Sequence, residues 1–160
     1  MTYVFDTNSL SIILRHYYPG RFPTFWNKFN KAAEENILVS VRESRFELLE
    51  HSNHEITQNL PALEKYNGNF FAKPTIEELA FITRIYSVPH FQWNLEKKKL
   101  LKGGSFADPF IIAKANMVKG IVVTEEAFKE NAAKIPNICQ HFDIECVNLE
   151  GFLLSEDWEF

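Results

Sequence analysis

The fold is decided first by a short apolar run that ends in polar residues, Thr2-Tyr3-Val4-Phe5-Asp6-Thr7-Asn8. Residues 2–5 are β-branched or aromatic and predict a β-strand. The run is apolar at nearly every position instead of alternating. The strand is therefore expected to be covered on both faces, as in a parallel sheet. Asp6 would then follow directly after the carboxyl end of that strand.

Three further runs have the same character and predict strands at Ile37–Ser40, Ile121–Val123 and Glu145–Val147. Helical patterns lie between them: one from Pro23 onward, then Val41–His51, Thr75–Tyr86, and Phe106–Val118, the last closed by Lys119-Gly120. Alternating strands and helices predict an α/β domain with right-handed crossovers.

The predicted sheet has four or five parallel strands, with the four recognisable ones in the order 2-1-3-4. Residues 53–104 contain no clear strand and are interpreted as an inserted helical arm. No repeat, linker or low-complexity tract marks a boundary, so residues 1–160 are expected to form a single domain.

Composition narrows the class of protein. The 160 residues carry a formal net charge of −4, which argues against a protein that coats DNA. The first residues have neither the basic segment nor the apolar stretch of a signal peptide, and the longest apolar runs are too short to cross a bilayer. A cytoplasmic protein is expected. Neither of the common glycine-rich phosphate-binding motifs is present.

Acidic residues follow three of the four predicted strands and begin one helix. Asp6 fits a helix cap or a metal ligand. Glu43, Glu47 and Glu50 share one helix face, which is either solvated or turned toward the strand ends. Asp108 fits a capping box with Ser105, yet apolar residues surround it in sequence.

Glu125 and Glu126 come directly after the third strand, where Thr124 could cap a helix over residues 127–129. Individually each acid has a structural explanation. Together they form a set of hard oxygen ligands, which selects Mg²⁺ or Mn²⁺. Magnesium held by few carboxylates keeps positions open for water and phosphate oxygens, as phosphodiester hydrolysis requires.

Four blocks in this order resemble the PIN-domain ribonucleases, the group that includes VapC-type toxins. The blocks are Val4–Asn8, then Ser40 with Phe46–Leu49, then Ala107–Ala115, then Ile121–Glu126. The tail, from Lys134 to Leu149, is similar to one uncharacterised prokaryotic branch of that superfamily. The resemblance implies a PIN-like three-layer α/β/α fold.

The resemblance also implies a site. Asp6, Glu47, Asp108 and Glu126 match the family's four acids, which hold one or two Mg²⁺ or Mn²⁺ ions and are catalytic, with Glu43 as a rival to Glu47. Glu126 stands where the family's Thr-x-Asp motif has Asp. Asn8 and Thr124 would be supporting polar groups.

The activity implied by the resemblance is Mg²⁺-dependent endoribonuclease cleavage of RNA, leaving 5′-phosphate and 3′-hydroxyl ends. The protein would be the toxin of a type II toxin–antitoxin pair, silenced by a co-encoded antitoxin, and many such toxins are homodimers. The alternative is a catalytically silent PIN-like module that binds RNA or a protein.

The most basic stretch lies just before Asp108 and contains Lys97, Lys98, Lys99 and Lys102. A charge run of this kind is usually a solvated face. The functional interpretation is an RNA-binding arm whose lysines contact phosphates, with Trp93, Phe91 and His90 upstream as candidates for a stacking ring.

Overall fold

The computed structural model describes residues 1–51, 53–66 and 68–160. Its strands are β1 (Tyr3–Phe5), β2 (Leu38–Val41), β3 (Phe71–Ala72), β4 (Ile121–Val123) and β5 (Cys146–Val147). Its helices are α1 (Thr7–His16), α2 (Pro23–Glu34), α3 (Arg42–His51), α4 (His54–Thr57), α5 (Pro61–Glu64), α6 (Ile76–Tyr86), α7 (Pro89–Lys102), α8 (Asp108–Val118), α9 (Ile135–His141) and α10 (Leu149–Ser155).

The five strands form one parallel sheet in the order β3-β2-β1-β4-β5. The four strands found in the sequence have the predicted order, and β3 adds an edge beside β2. Strand β3 was not predicted, because a two-residue strand at a sheet edge leaves almost no pattern in the sequence. The 53–104 segment is otherwise mainly helical, as expected; its residue Asn67 lies outside the described residues.

Alternation along β1 separates two cores, one on each face of the sheet. Tyr3 and Phe5 pack with α1, α2 and α10, whereas Val4 packs with α6, α8 and α9. Phe5 is fully buried and meets Phe29 and Phe152 edge to face. These faces confirm the expected α/β/α layering, and they bring the carboxyl ends of β1 and β4 side by side.

Helix α8 ends near Lys119-Gly120, as predicted, but the two residues have different roles. Lys119 takes the left-handed conformation, with φ 51°. Gly120 is needed because the chain passes close to β1: a Cβ there would lie 2.5 Å from the Thr2 carbonyl oxygen. This close approach sets the start of β4 against β1.

In the described part of the chain, none of the helices combines the length and the apolar character needed to cross a membrane.

Candidate functional site

Asp6 is fixed at the carboxyl end of β1 by bonds to two other segments. It is the N-cap of α1, where its Oδ1 accepts from the Ser9 amide at 2.8 Å. Its Oδ2 accepts from the Thr124 hydroxyl at 2.6 Å, across from the end of β4. The Ser9 hydroxyl also donates to the Val123 carbonyl. The capping prediction is therefore confirmed, and the cap coexists with a position at the strand ends.

The Asp6 carboxyl is buried, with only 4% of the residue exposed. Burial raises its pKa from 3.8 to about 6, against the lowering effect of the bonds from Thr124 and Ser9. The charge on Asp108 raises it further, which places that acid within electrostatic reach. Asn8, which was predicted as a supporting residue, is exposed. The Thr7 hydroxyl donates to Glu47.

Glu47 lies on α3 and reaches the same place through Thr7. It is 3% exposed, and its Oε1 accepts from the Thr7 hydroxyl at 2.5 Å. Its Oε2 forms an ion pair with Lys102. Since Thr7 follows Asp6 directly, this contact joins α3 to the end of β1.

The other acids of α3 lie apart from Glu47. Glu43 is buried and accepts from the Arg42 guanidinium at 3.0 and 3.2 Å. Glu50 is exposed and accepts from the amide and hydroxyl of Ser105. A uniformly solvated acidic face is therefore wrong for this helix.

Asp108 is the first residue of α8, and its Oδ2 accepts from Lys98 Nζ at 2.5 Å. Burial raises the pKa of Asp108, opposed chiefly by the Lys98 charge and increased by that of Glu126. The expected capping box with Ser105 is absent, because the Ser105 hydroxyl donates to Glu50 at 2.7 Å instead. Asp108 therefore does not take part in a capping box, and its carboxyl group lies within electrostatic reach of Glu126.

Glu126 connects three segments. Its Oε1 accepts from Lys98 Nζ at 3.1 Å and its Oε2 from the Ile135 amide at 2.8 Å. Its own amide donates to the Thr124 hydroxyl at 3.1 Å, the hydroxyl that also bonds Asp6. The predicted helix over residues 127–129 is wrong. Glu125 instead accepts from the Leu149 amide at the start of α10.

Hydrogen bonds and ion pairs connect the four acids predicted for the site, through intervening side chains and not by direct contact. We call Asp6, Glu47, Asp108 and Glu126 the carboxylate cluster. Thr124 links the first to the last, Lys98 links Asp108 to Glu126, and Thr7 and Lys102 hold Glu47. Glu43 is not linked to the cluster by any of these bonds.

Sequence reasoning missed the role of the two lysines. Lys98 and Lys102 stand four residues apart and thus share one face of α7, the face turned to the acids. Lys97 and Lys99 are exposed. Burial alone would lower the pKa of Lys98, but Asp108 and Glu126 outweigh it and raise that pKa. The i, i+4 spacing of Lys98 and Lys102 was the feature of the sequence that could have indicated their shared helix face.

The donor chemistry of the carboxylate cluster suits a hard divalent cation, because all four acids offer carboxylate oxygens. In residues 1–51, 53–66 and 68–160, however, no three Asp, Glu, His or Cys side chains are gathered closely enough to hold a metal ion. Ammonium groups lie against Asp108, Glu126 and Glu47 instead. The carboxylate oxygens of the cluster are thus ligands of the type that a divalent cation takes. In the structure, three of these carboxylates are paired with the ammonium groups of Lys98 and Lys102.

Comparisons with known proteins bear on the fold and the family. A solved structure, the crystal structure of VapBC2 from Rickettsia felis bound to a DNA fragment from their promoter, is similar with a TM-score of 0.52 and 14% identity. The match covers 92% of this chain and 98% of the other. At that identity it shows a shared fold, in line with the PIN-like expectation. No curated protein matches significantly.

The family is shown by a model that matches nearly the whole chain. That model, described as a domain of unknown function, DUF4411, matches residues 3–160. The matched range contains all four acids of the carboxylate cluster and both lysines. The chain belongs to the DUF4411 family.

Proposed function

We propose that the chain is a metal-dependent endoribonuclease that hydrolyses RNA phosphodiester bonds. The observation that carries the proposal is the carboxylate cluster. The proposal is supported by the hydrogen bonds that tie four acids from four distant segments to the region at the carboxyl ends of β1 and β4, where sites form in open parallel sheets. Two of these carboxylates are buried and two are partly buried, and such a concentration of negative charge is costly unless cations compensate it.

Asp6, Glu47, Asp108 and Glu126 would hold one or two Mg²⁺ or Mn²⁺ ions. When bound, such an ion supplies Lewis-acid polarisation of a phosphoryl oxygen and a nucleophilic water. The chain's own contribution is positioning. The hydroxyls of Thr124 and Thr7 orient Asp6 and Glu47, and the Ile135 amide orients Glu126. Lys97 and Lys99 are exposed beside the cluster and can contact RNA phosphates.

The similarity to a toxin–antitoxin complex supports a more specific role. The neighbour's name identifies a VapBC pair bound to promoter DNA. We propose that this chain is likewise the toxin of a type II pair, with a co-encoded antitoxin as its protein partner, and that it forms a homodimer.

One observation favours a second candidate, a catalytically silent module that binds RNA or a protein. Lys98 and Lys102 together pair with three of the four acids without any metal. A cluster satisfied in this way could be structural only. The two candidates differ in whether divalent cations activate the protein.

The test is a cleavage assay on end-labelled RNA of mixed sequence, with either Mg²⁺ or a chelator. Wild type is expected to cut in Mg²⁺ alone and to leave 5′-phosphates. Asp6→Asn and Glu47→Gln should reduce cutting to the level of chelated wild type. Glu34→Gln, which removes an exposed acid of α2, is the matched control and should cut normally. RNA binding without cutting in Mg²⁺ would establish the silent module.

A further inference from the structure

Two ammonium groups lie where a divalent cation would need carboxylate oxygens. Lys98 Nζ is 2.5 Å from Asp108 Oδ2 and 3.1 Å from Glu126 Oε1. Lys102 pairs with Glu47 Oε2. A metal ion in contact with these oxygens would stand within a few ångströms of the ammonium groups, and like charges at that distance repel strongly in a partly buried site.

The helix that carries these lysines is firmly held at one end. Phe91 and Leu95 of α7 are buried in the core. Its last turn presents the exposed side chains of Leu100 and Leu101, and the helix ends at Gly103 with φ 67°. The lysine stems are long and flexible, so the ammonium groups can leave the acids while α7 stays packed.

The lysine side chains are partly exposed to solvent, so their ammonium groups can move away from the acids. The Lys98 and Lys102 side chains are 39% and 32% exposed, whereas the Asp108 and Glu47 side chains that they contact are 14% and 3% exposed. The acids are thus fixed by the fold, and the lysines approach them from the solvent side. Of the two kinds of group, the lysines are the ones able to move.

We propose that Lys98 and Lys102 are internal counter-ions, which offset part of the negative charge of the carboxylate cluster in the metal-free protein and are displaced when a divalent cation binds. The inference rests on the proposed function, because it takes the cluster to be the cation site. Once displaced, the two ammonium groups extend from the same helix as Lys97 and Lys99. Cation binding thereby adds two positive charges to the surface that meets RNA phosphates.

The direct test is the chemical reactivity of Lys98 relative to Lys97 in wild-type protein. Both amines are labelled by reductive methylation and read in one peptide by mass spectrometry. In chelator, Lys98 should react about tenfold more slowly, since it is bound to two carboxylates while Lys97 is exposed. At saturating Mg²⁺ the two rates should become similar. A Lys98 that stays protected while Mg²⁺ is bound would overturn the proposal.

A second measurement uses Lys98→Met, which keeps most of the stem and removes the charge. Calorimetric titration with Mn²⁺ should give an affinity about tenfold tighter than wild type, because the competing cation is gone. Lys97→Met removes an equal charge from the exposed side of α7 and should change the affinity by less than about twofold. Equal or weaker Mn²⁺ binding by Lys98→Met, with the fold intact by circular dichroism, would also contradict the proposal.

The outcomes separate this inference from the proposed function. Mg²⁺-dependent RNA cleavage with Lys98 still protected would refute the counter-ion role alone. Release of Lys98 by Mg²⁺ without any cleavage would refute the nuclease and leave the counter-ion role standing. If neither wild type nor Lys98→Met binds Mn²⁺, both proposals are wrong.

Discussion

Asp6 has two roles whose effects on stability are opposite. As the N-cap of α1 it satisfies the Ser9 amide, which stabilises the helix. As a buried acid its pKa is raised from 3.8 to about 6 by burial. The folded state therefore binds a proton more tightly than the unfolded chain does. The stability that comes with this proton is complete below about pH 4 and is lost as the pH rises through about 6.

We therefore predict that Asp6→Asn stabilises the metal-free protein at about pH 7, by up to about 3 kcal/mol. The amide can still accept from Ser9 and carries no charge to bury. The gain should shrink toward zero near pH 4, where the wild-type carboxyl is protonated. Thermal melts in chelator at both pH values measure this. A variant that is less stable than wild type at both would mean that the bond from the Thr124 hydroxyl to Oδ2, which an amide nitrogen cannot accept, outweighs the cost of burying the charge.

Glu126 stands where the PIN-domain ribonucleases, which the sequence resembles, have Asp. The contacts of Glu126 give a physical reason for the longer side chain. Its two oxygens reach Lys98 on α7 and the Ile135 amide on α9. An Asp has one methylene fewer and cannot span both. We predict that Glu126→Asp lowers the free energy of unfolding by about 1 kcal/mol, the cost of leaving one amide unpaired.

The control for this substitution is Glu126→Gln, which keeps the length and can still accept from Ile135. Urea melts of both variants in chelator decide the matter. Glu126→Asp should unfold at lower urea than Glu126→Gln, and the reverse order would show that the Ile135 bond contributes nothing.

At the scale of elements, α6 and α8 are joined by a buried ion pair behind the site. Thr75 and Glu78 form a capping box at the start of α6, and Glu78 Oε1 also lies 3.3 Å from Lys114 Nζ on α8. Both side chains are mostly buried. Since Asp108 begins α8, this contact helps to hold that acid in place.

We predict that Lys114→Met destabilises the protein by about 3 kcal/mol, because it leaves the Glu78 carboxylate buried without its charged partner. Combining it with Glu78→Gln should recover part of the loss. Chemical denaturation of the two single variants and the double variant measures the coupling. Additive losses would show that the pair does not interact.

The four lysines of α7 were interpreted either as a solvated face or as an RNA-binding arm, and in the structure they have two kinds of environment. Lys98 and Lys102 contact acids, while Lys97 and Lys99 are exposed. We predict that changing all four to Ala weakens RNA binding and flattens its salt dependence. Each lost phosphate contact on a single strand should lower the log–log slope by roughly 0.7. Changing Lys28 and Lys31 of α2 is the control, and an effect per lysine equal to that on α7 would indicate only non-specific charge.

Elements with a continuous apolar pattern were predictable from the sequence, whereas those defined by contacts were not. The runs at β1, β2 and β4 are buried on both faces, so their composition alone marks them. Residues 127–134 carry no helix, since Glu125 and Glu126 bond the distant Leu149 and Ile135. The local sequence pattern of these residues is compatible with a helix start as well as with a loop, and only tertiary contacts determine which of the two forms.

At the scale of the whole molecule, the candidate site depends on topology. The bond between Asp6 and Thr124 joins residues 118 positions apart, and it forms because β1 and β4 are adjacent in the sheet. The parallel order was predictable, and with it the meeting of the strand-end acids. The lysine contacts were not, because they require the path of α7 across the strand ends, which no local pattern encodes.

The proposed nuclease activity depends on a divalent cation bound by the carboxylate cluster. Anomalous scattering from crystals grown with saturating Mn²⁺ will show whether such an ion is bound there. We expect a manganese peak bounded by Asp6, Glu47, Asp108 and Glu126, with the Lys98 ammonium moved away from Asp108. A map without manganese among these four acids, and with Lys98 still bridging Asp108 and Glu126, would contradict the proposal.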